Sequence, residues 1–183
     1  KNNYCTIITF DNGIAAFESV DMARENKIDI IVTDHHEIPQ SEDGGVSNDR
    51  LVNATAIINP KQTRCEYPYK HICGGMIAYK LIQALYLSMG IMVDEIEDLY
   101  NLVSIATICD VMELKDENRA FVSTGLERLN QSEMLGIRVL LKKLALENKL
   151  HLTVNDIGFK VGPVLNSSGR LETADTALRL LVS

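Results

Sequence analysis

The period of hydrophobic positions changes partway along the chain. Residues 4–10 (Tyr-Cys-Thr-Ile-Ile-Thr-Phe) form a β-branched and aromatic run that stops at Asp11-Asn12-Gly13, which predicts a strand followed by a turn. Between residues 14 and 26 the apolar residues Ile14, Phe17, Val20, Met22 and Ala23 recur near helical spacing, and a second apolar run fills 28–33. Strand, helix and strand in that order predict a βαβ unit with a parallel pair. Residues 37–49 are polar and turn-rich, an exposed loop, and Ala56-Ile57-Ile58 is a short strand stopped by Asn59-Pro60. Helical spacing then takes over: 76–89 after Gly74-Gly75, 93–108 running into Cys109-Asp110, 117–129, 134–146, and a last helix with Thr153 as N-cap and Asp156 at its third position. The expected fold is α/β, with a parallel β-sheet core and flanking helices over residues 1–60 and a mainly helical remainder over 61–183.

Composition narrows the function without altering that picture. Hydrophobic content of 46% and charged content of 23% are ordinary for a soluble globular protein, and no apolar run reaches the roughly 18 residues a membrane span needs. The formal charge of −7 argues against a broad basic nucleic-acid surface, because Lys and Arg at phosphates supply most non-specific affinity. Any nucleic-acid site is local, or lies partly outside these residues. Four cysteines without a CxxC pair read as buried reduced thiols, which points to the cytoplasm. The start Lys1-Asn2-Asn3-Tyr4 lacks an initiator Met and a signal layout, so the sequence reads as an excised piece.

The candidate chemistry sits at the strand ends. Asp11 and Asp34-His35-His36 fall at the carboxyl ends of the two parallel strands, where open sheets collect their ligands. Carboxylate oxygen together with imidazole nitrogen suits Mn2+ better than Mg2+, while zinc stays open on chemistry alone. The bland alternatives are a polar loop for the triplet and a helix-capping turn for Asp11. Asp110 ends an apolar helix, where the macrodipole opposes an acid, and a metal ion would compensate it. In 161–171, small residues with Asn166 and Arg170 suit phosphate binding; the alternative is a helix end with a Gly cap and a solvated Arg.

Taken together, these segments resemble the DHH phosphoesterase superfamily and, within it, the RecJ exonucleases. The resemblance runs through Thr9-Phe10-Asp11-Asn12-Gly13-Ile14, through Ile30-Ile31-Val32-Thr33-Asp34-His35-His36-Glu37 with Ala56-Ile57-Ile58-Asn59-Pro60, and through Gly74-Gly75-Met76. It continues in Ala106-Thr107-Ile108-Cys109-Asp110-Val111-Met112-Glu113-Leu114 and in Gly162-Pro163 to Asn166 and Gly169-Arg170-Leu171. Val164 stands where RecJ proteins usually place an Arg. The family's first motif, an Asp-x-Asp after a strand, has no counterpart among the residues before Asp11, and the resemblance implies that residues 181–183 stand where the family continues into a second, DHHA1-like domain.

The resemblance implies two Mn2+ (or Mg2+) ions in the intact enzyme, with Asp11 bridging them and His35 and Asp110 as further ligands. Asp34 would orient that cluster, His36 would face the scissile phosphate, and Asn166 and Arg170 would hold backbone phosphates. It implies a 5'→3' exonuclease on single-stranded DNA in repair and recombination, with a helicase and a single-strand-binding protein as partners and no membrane. The fragment alone is expected to be weakly active or inactive. Two other readings stay open: a DHH enzyme acting on short oligonucleotides, cyclic dinucleotides or pyrophosphate, and a non-catalytic DHH-derived scaffold.

Overall fold

A computed structural model describes residues 4–41, 49–171 and 173–183. The chain forms two compact units, Lys1–Ala84 and Leu85–Ser183. The reading by period ends the sheet region at residue 60, whereas the unit that holds the sheet runs on to Ala84, because the chain after β3 folds back on the strand ends through the first turn of α2.

In the first unit β1 (Thr6–Phe10), α1 (Phe17–Glu25) and β2 (Asp29–Thr33) make the expected βαβ unit, and β3 (Ala56–Ile58) completes a parallel sheet of order β1-β2-β3. β2 is central. Its Ile30 and Val32 are buried against Val20 and Ala23 of α1 and against Val52. The helix therefore covers the sheet through residues three apart, the spacing that places two side chains on one helical face. Of the expected loop, residues 42–48 lie outside the described residues, and Gln40 and Asp49 on its flanks form an isolated antiparallel bridge. The division between units falls within α2 (Gly74–Met89).

The second unit is helical: α3 (Leu99–Cys109), α4 (Asp116–Leu129), α5 (Leu135–Lys143), α6 (Val154–Asp156), α7 (Gly162–Leu171) and α8 (Asp175–Leu181). Ile105 and Ile108 of α3, Val122 and Leu129 of α4, and Ile137, Leu140 and Leu141 of α5 share one core with Ile157 and Val161. The helix expected over 93–108 is two pieces, a 3-10 turn at Val93–Ile96 and then α3. The capping box at the last predicted start is present: Asp156 N–H donates to Thr153 Oγ1 at 3.3 Å, and Thr153 N–H donates to Asp156 Oδ2 at 2.9 Å.

Two expectations need correction. The alternative of a Gly-capped helix end within 161–171 fails, since Gly169 lies inside α7. Helical backbone is continuous from Val154 to Leu171, with a π-helical stretch at Ile157–Val161 joining α6 to α7. Pro163 explains that stretch: proline donates no N–H and its ring crowds the carbonyl four residues back, so a wider turn just before it relieves the clash. Nor are the four thiols all buried: Cys73 is, Cys65 and Cys109 are half-buried, and Cys5 is exposed on the flank of β1.

Candidate metal centre

Parallel register brings the three strand ends to one level, because Phe10 pairs with Thr33 and Thr33 with Ile58. The ladder continues past the strands, with Asp11 N–H donating to Thr33 O and Asp34 N–H to Ile58 O, both at 3.0 Å. The Thr33 hydroxyl ties the same level together by donating to Thr9 O at 2.6 Å. Asp11 then turns through φ 62°, the left-handed region that Asp tolerates better than most residues.

Asp34 organises the loop behind it. Its side chain is 1% exposed. Oδ2 accepts Ile14 N–H at 2.9 Å, while Oδ1 accepts His35 N–H at 2.8 Å and His36 N–H at 3.1 Å and meets His36 Nδ1 at 2.7 Å. Burial pushes this carboxyl up, but the Ile14 amide, the His36 ring and the His36 and His35 amides together outweigh it and hold the group below the usual carboxylate range. Asp34 is thus a buried anion with both oxygens engaged by N–H donors. A carboxylate at Nδ1 favours the tautomer with its proton there and leaves the lone pair on Nε2 of His36.

Asp11, His35 and His36 each offer one ligand atom, and these atoms lie within 4.8 Å of one another. His35 Nε2 stands 3.1 Å from Asp11 Oδ1, and the two imidazole centroids are 4.6 Å apart. Donors bound at about 2.0–2.2 Å to one divalent ion stand roughly 3 Å apart, so the pair has the bite of a single ion. The mixed nitrogen and oxygen set suits Mn2+ better than Mg2+ and is equally open to zinc. The capping alternative for Asp11 fails, since Ala16 rather than Asp11 is the N-cap of α1 and no side chain caps that helix.

The period of the sequence does not reveal the third wall of this site. Gly74 opens α2 against Asp11, and a Cβ on Gly74 would lie 2.2 Å from Asp11 Oδ1 and 2.7 Å from Asp11 Cβ. Only a glycine lets the helix start come this close, and a helix start favours a carboxylate electrostatically. The Gly-Gly pair was the visible signal; its role needed the distance.

Asp110, the remaining expected ligand, belongs to the second unit, where it is the C-cap of α3. The helix closes there in a Schellman pattern, with Val111 N–H to Ile108 O and Met112 N–H to Thr107 O, both at 3.1 Å. Burial, and then the charge of Asp110, push the neighbouring Cys109 thiol up. Asn166 and Arg170 share a cavity of about 350 Å³ with Cys109, Gly158, Gly162, Pro163 and Ser167. Residues 158, 162, 166 and 170 are spaced by four, one ridge of the helix, and a Cβ on Gly162 would stand 2.6 Å from Cys109 Sγ. The structure therefore gathers Asp11, His35 and His36 around Asp34 in one unit, and Asn166 and Arg170 beside the residue preceding Asp110 in the other. His36 joins the donor cluster, where the resemblance assigns it a phosphate-facing place.

Residues 3–107 match the model of the DHH family, N-terminal domain. The chain is 40% identical over 183 residues to the single-stranded-DNA-specific exonuclease RecJ of Bacillus subtilis (strain 168), covering 100% of this chain and 21% of that protein. It is 34% identical to RecJ of Haemophilus influenzae, over 97% of this chain and 30% of that protein. Among solved structures, RecJ from Thermus thermophilus in complex with Mn2+ aligns with a TM-score of 0.77 at 27% identity, over 98% of this chain and 25% of that one. An exonuclease RecJ bound to manganese aligns at 0.76 and 28% identity, over 97% of this chain and 42% of that one. The chain spans less than a third of the length of the two curated relatives. With the family model covering the sheet, the Asp-His-His triplet and most of α3, the chain belongs to the DHH family, and its relatives over nearly all of its length are RecJ exonucleases.

Proposed function

We propose that this chain is part of the catalytic region of a metal-dependent exonuclease that degrades single-stranded DNA in the 5'→3' direction by two-metal hydrolysis, releasing 5'-mononucleotides. The observation that carries the reading is the convergence of Asp11, His35 and His36 at the strand ends, held by a buried ionised Asp34. The RecJ relatives support the substrate class. Asp11 and His35 would hold Mn2+ or Mg2+, and such ions would supply an activated water and neutralise charge on the phosphate. Asp34 keeps the His36 ring in register, His36 presents Nε2 toward the phosphate, and Asn166 and Arg170 hold the strand. Asp34 and His36 are thus the residues nearest the chemistry beyond the ligands.

A pair of octahedral ions takes far more donors than these residues offer, so the 183-residue chain alone turns over weakly or not at all. The reading extends to repair and recombination in the cytoplasm alongside a helicase and a single-strand-binding protein. Among the described residues no helix is long and apolar enough to cross a membrane.

The test is release of mononucleotide from a 5'-labelled single strand by the intact protein in Mn2+. His35→Ala and Asp11→Ala abolish release, and a blunt duplex resists it. Undiminished release in a chelator, or by His35→Ala, refutes the reading.

A further inference from the structure

Among the described aromatic side chains Phe159 is the most exposed, at 80%. A phenyl ring left in water forfeits the gain of burial, and nothing in the core of the second unit uses it. Its place is specific. Phe159 lies in the π-helical stretch between Gly158 and the turn containing Gly162 and Pro163, and all three of those residues line the Asn166–Arg170 cavity. Helical spacing sets 159, 163 and 167 as a ridge beside 158, 162, 166 and 170, so the ring heads the row next to the one that ends in Arg170.

The cavity wall carries Arg170 and no carboxylate, in a chain of net charge −7. It is a local place for an anionic backbone beside a solvated aromatic face. Asn166 lies seven residues on, about 10 Å along a helix axis, within the span of the roughly four or more nucleotides that a single-strand site covers.

We infer that Phe159 is a stacking platform for a base of the single strand whose phosphates Asn166 and Arg170 hold; this rests on the nucleic-acid reading proposed above. A ring face is indifferent to base identity, which suits an exonuclease that must accept every sequence.

The experiment is equilibrium binding of the 183-residue chain to an oligothymidylate and to an abasic strand of equal length, for the wild type, Phe159→Ala, Phe159→Trp and Arg170→Ala. Phe159→Ala weakens binding of the oligothymidylate about tenfold and leaves the abasic strand unchanged, while Arg170→Ala weakens both. Phe159→Trp puts one tryptophan into a chain that has none; it binds as the wild type does, and its fluorescence is quenched by the oligothymidylate and not by the abasic strand. If Phe159→Ala binds oligothymidylate as the wild type does while Arg170→Ala still weakens both strands, the stacking role is overturned and the nucleic-acid reading stands. If the wild type binds neither strand, or Arg170→Ala binds both unchanged, that reading falls and takes the stacking role with it.

Discussion

Replacing Gly74 with Ala tests whether the donor cluster depends on how closely α2 begins beside it. The added Cβ would sit 2.2 Å from Asp11 Oδ1 and 2.7 Å from Asp11 Cβ. Rotating the carboxylate away relieves the first contact but not the second, so backbone must move. A carbon-to-carbon contact settles at about 3.5–4.0 Å, a displacement of about 1 Å from the present 2.7 Å. Asp11 resists the shift, since its amide is pinned to Thr33 O at 3.0 Å. A misplacement of about 1 Å in a positioned group costs on the order of a hundredfold in function, and overpacking costs about 1–3 kcal/mol of stability. Calorimetric titration with Mn2+ is expected to show affinity weakened between about ten- and a hundredfold. Gly90→Ala is the control: nothing lies within 4 Å of a Cβ there, and its φ of 70° makes alanine cost about 1 kcal/mol by strain alone. Gly74→Ala binding Mn2+ as tightly as Gly90→Ala would refute the reasoning.

Four further outcomes follow from the same geometry. Val111 occupies φ 55° at 87% exposure, so Val111→Gly stabilises by about 1 kcal/mol in a urea melt; no gain would mean that the turn is not strained. Asp34→Asn lowers the melting temperature at neutral pH. Because the folded Asp34 titrates below the unfolded value of about 3.9, its stabilisation is fully present above that value and lost as pH falls through the lower folded one; the gap between variant and wild type therefore narrows only in acid, and a gap widening there contradicts the assignment. Gly125→Ala destabilises by about 1–3 kcal/mol despite the better helix former, since its Cβ would stand 1.7 Å from Ser104 Oγ; an unchanged melt rules out the close α3–α4 approach. Asp11→Gly raises the melting temperature by a few degrees, for about 1 kcal/mol of released strain, while abolishing Mn2+ binding in the same titration; a lower melting temperature counts against strain at Asp11.

The sequence announced the strands better than the helix ends. Ala56–Ile58 is read to the residue, and β1 and β2 within two residues at their starts, because β-branched runs and the Asn-Gly and Asn-Pro stops are local chemistry. Helix ends are not local in that way. Four helices close in the same pattern, at Lys27 (φ 60°), Gly90, Val111 and Ala145 (φ 54°), each followed by an apolar residue: Ile28, Ile91, Met112 and Leu146. Only Gly90 carries the residue type that marks such a stop. The reading of 134–146 therefore overran α5, whose last residue is Lys143, treating Leu146 as part of the helical period when it is the apolar residue that follows the turn. The site divides likewise. Adjacent Asp34, His35 and His36 are legible as a triplet, whereas the contact of Gly74 with Asp11, and the ridge Gly158, Gly162, Asn166 and Arg170, become visible only once helix phase is known.

Asp11 differs from the left-handed residues that close helices. Lys27, Val111 and Ala145 hold positive φ because a helix closes there, and two backbone hydrogen bonds accompany each turn, so their conformation is accounted for by chain reversal. Asp11 ends a strand instead, its amide continues the ladder to Thr33 O, and the helix that follows starts six residues later at Phe17 without using its side chain. Local folding gives no reason for an Asp rather than a Gly at this turn, and Gly would be the less costly choice. What the conformation achieves is direction: it sets Oδ1 3.1 Å from His35 Nε2 and against the start of α2. A strained residue whose side chain does nothing for its own turn, yet lies among three donor atoms within 4.8 Å, is what the metal site proposed above calls for. Stability and function then pull in opposite directions at one position, which is why the Asp11→Gly comparison reads both at once.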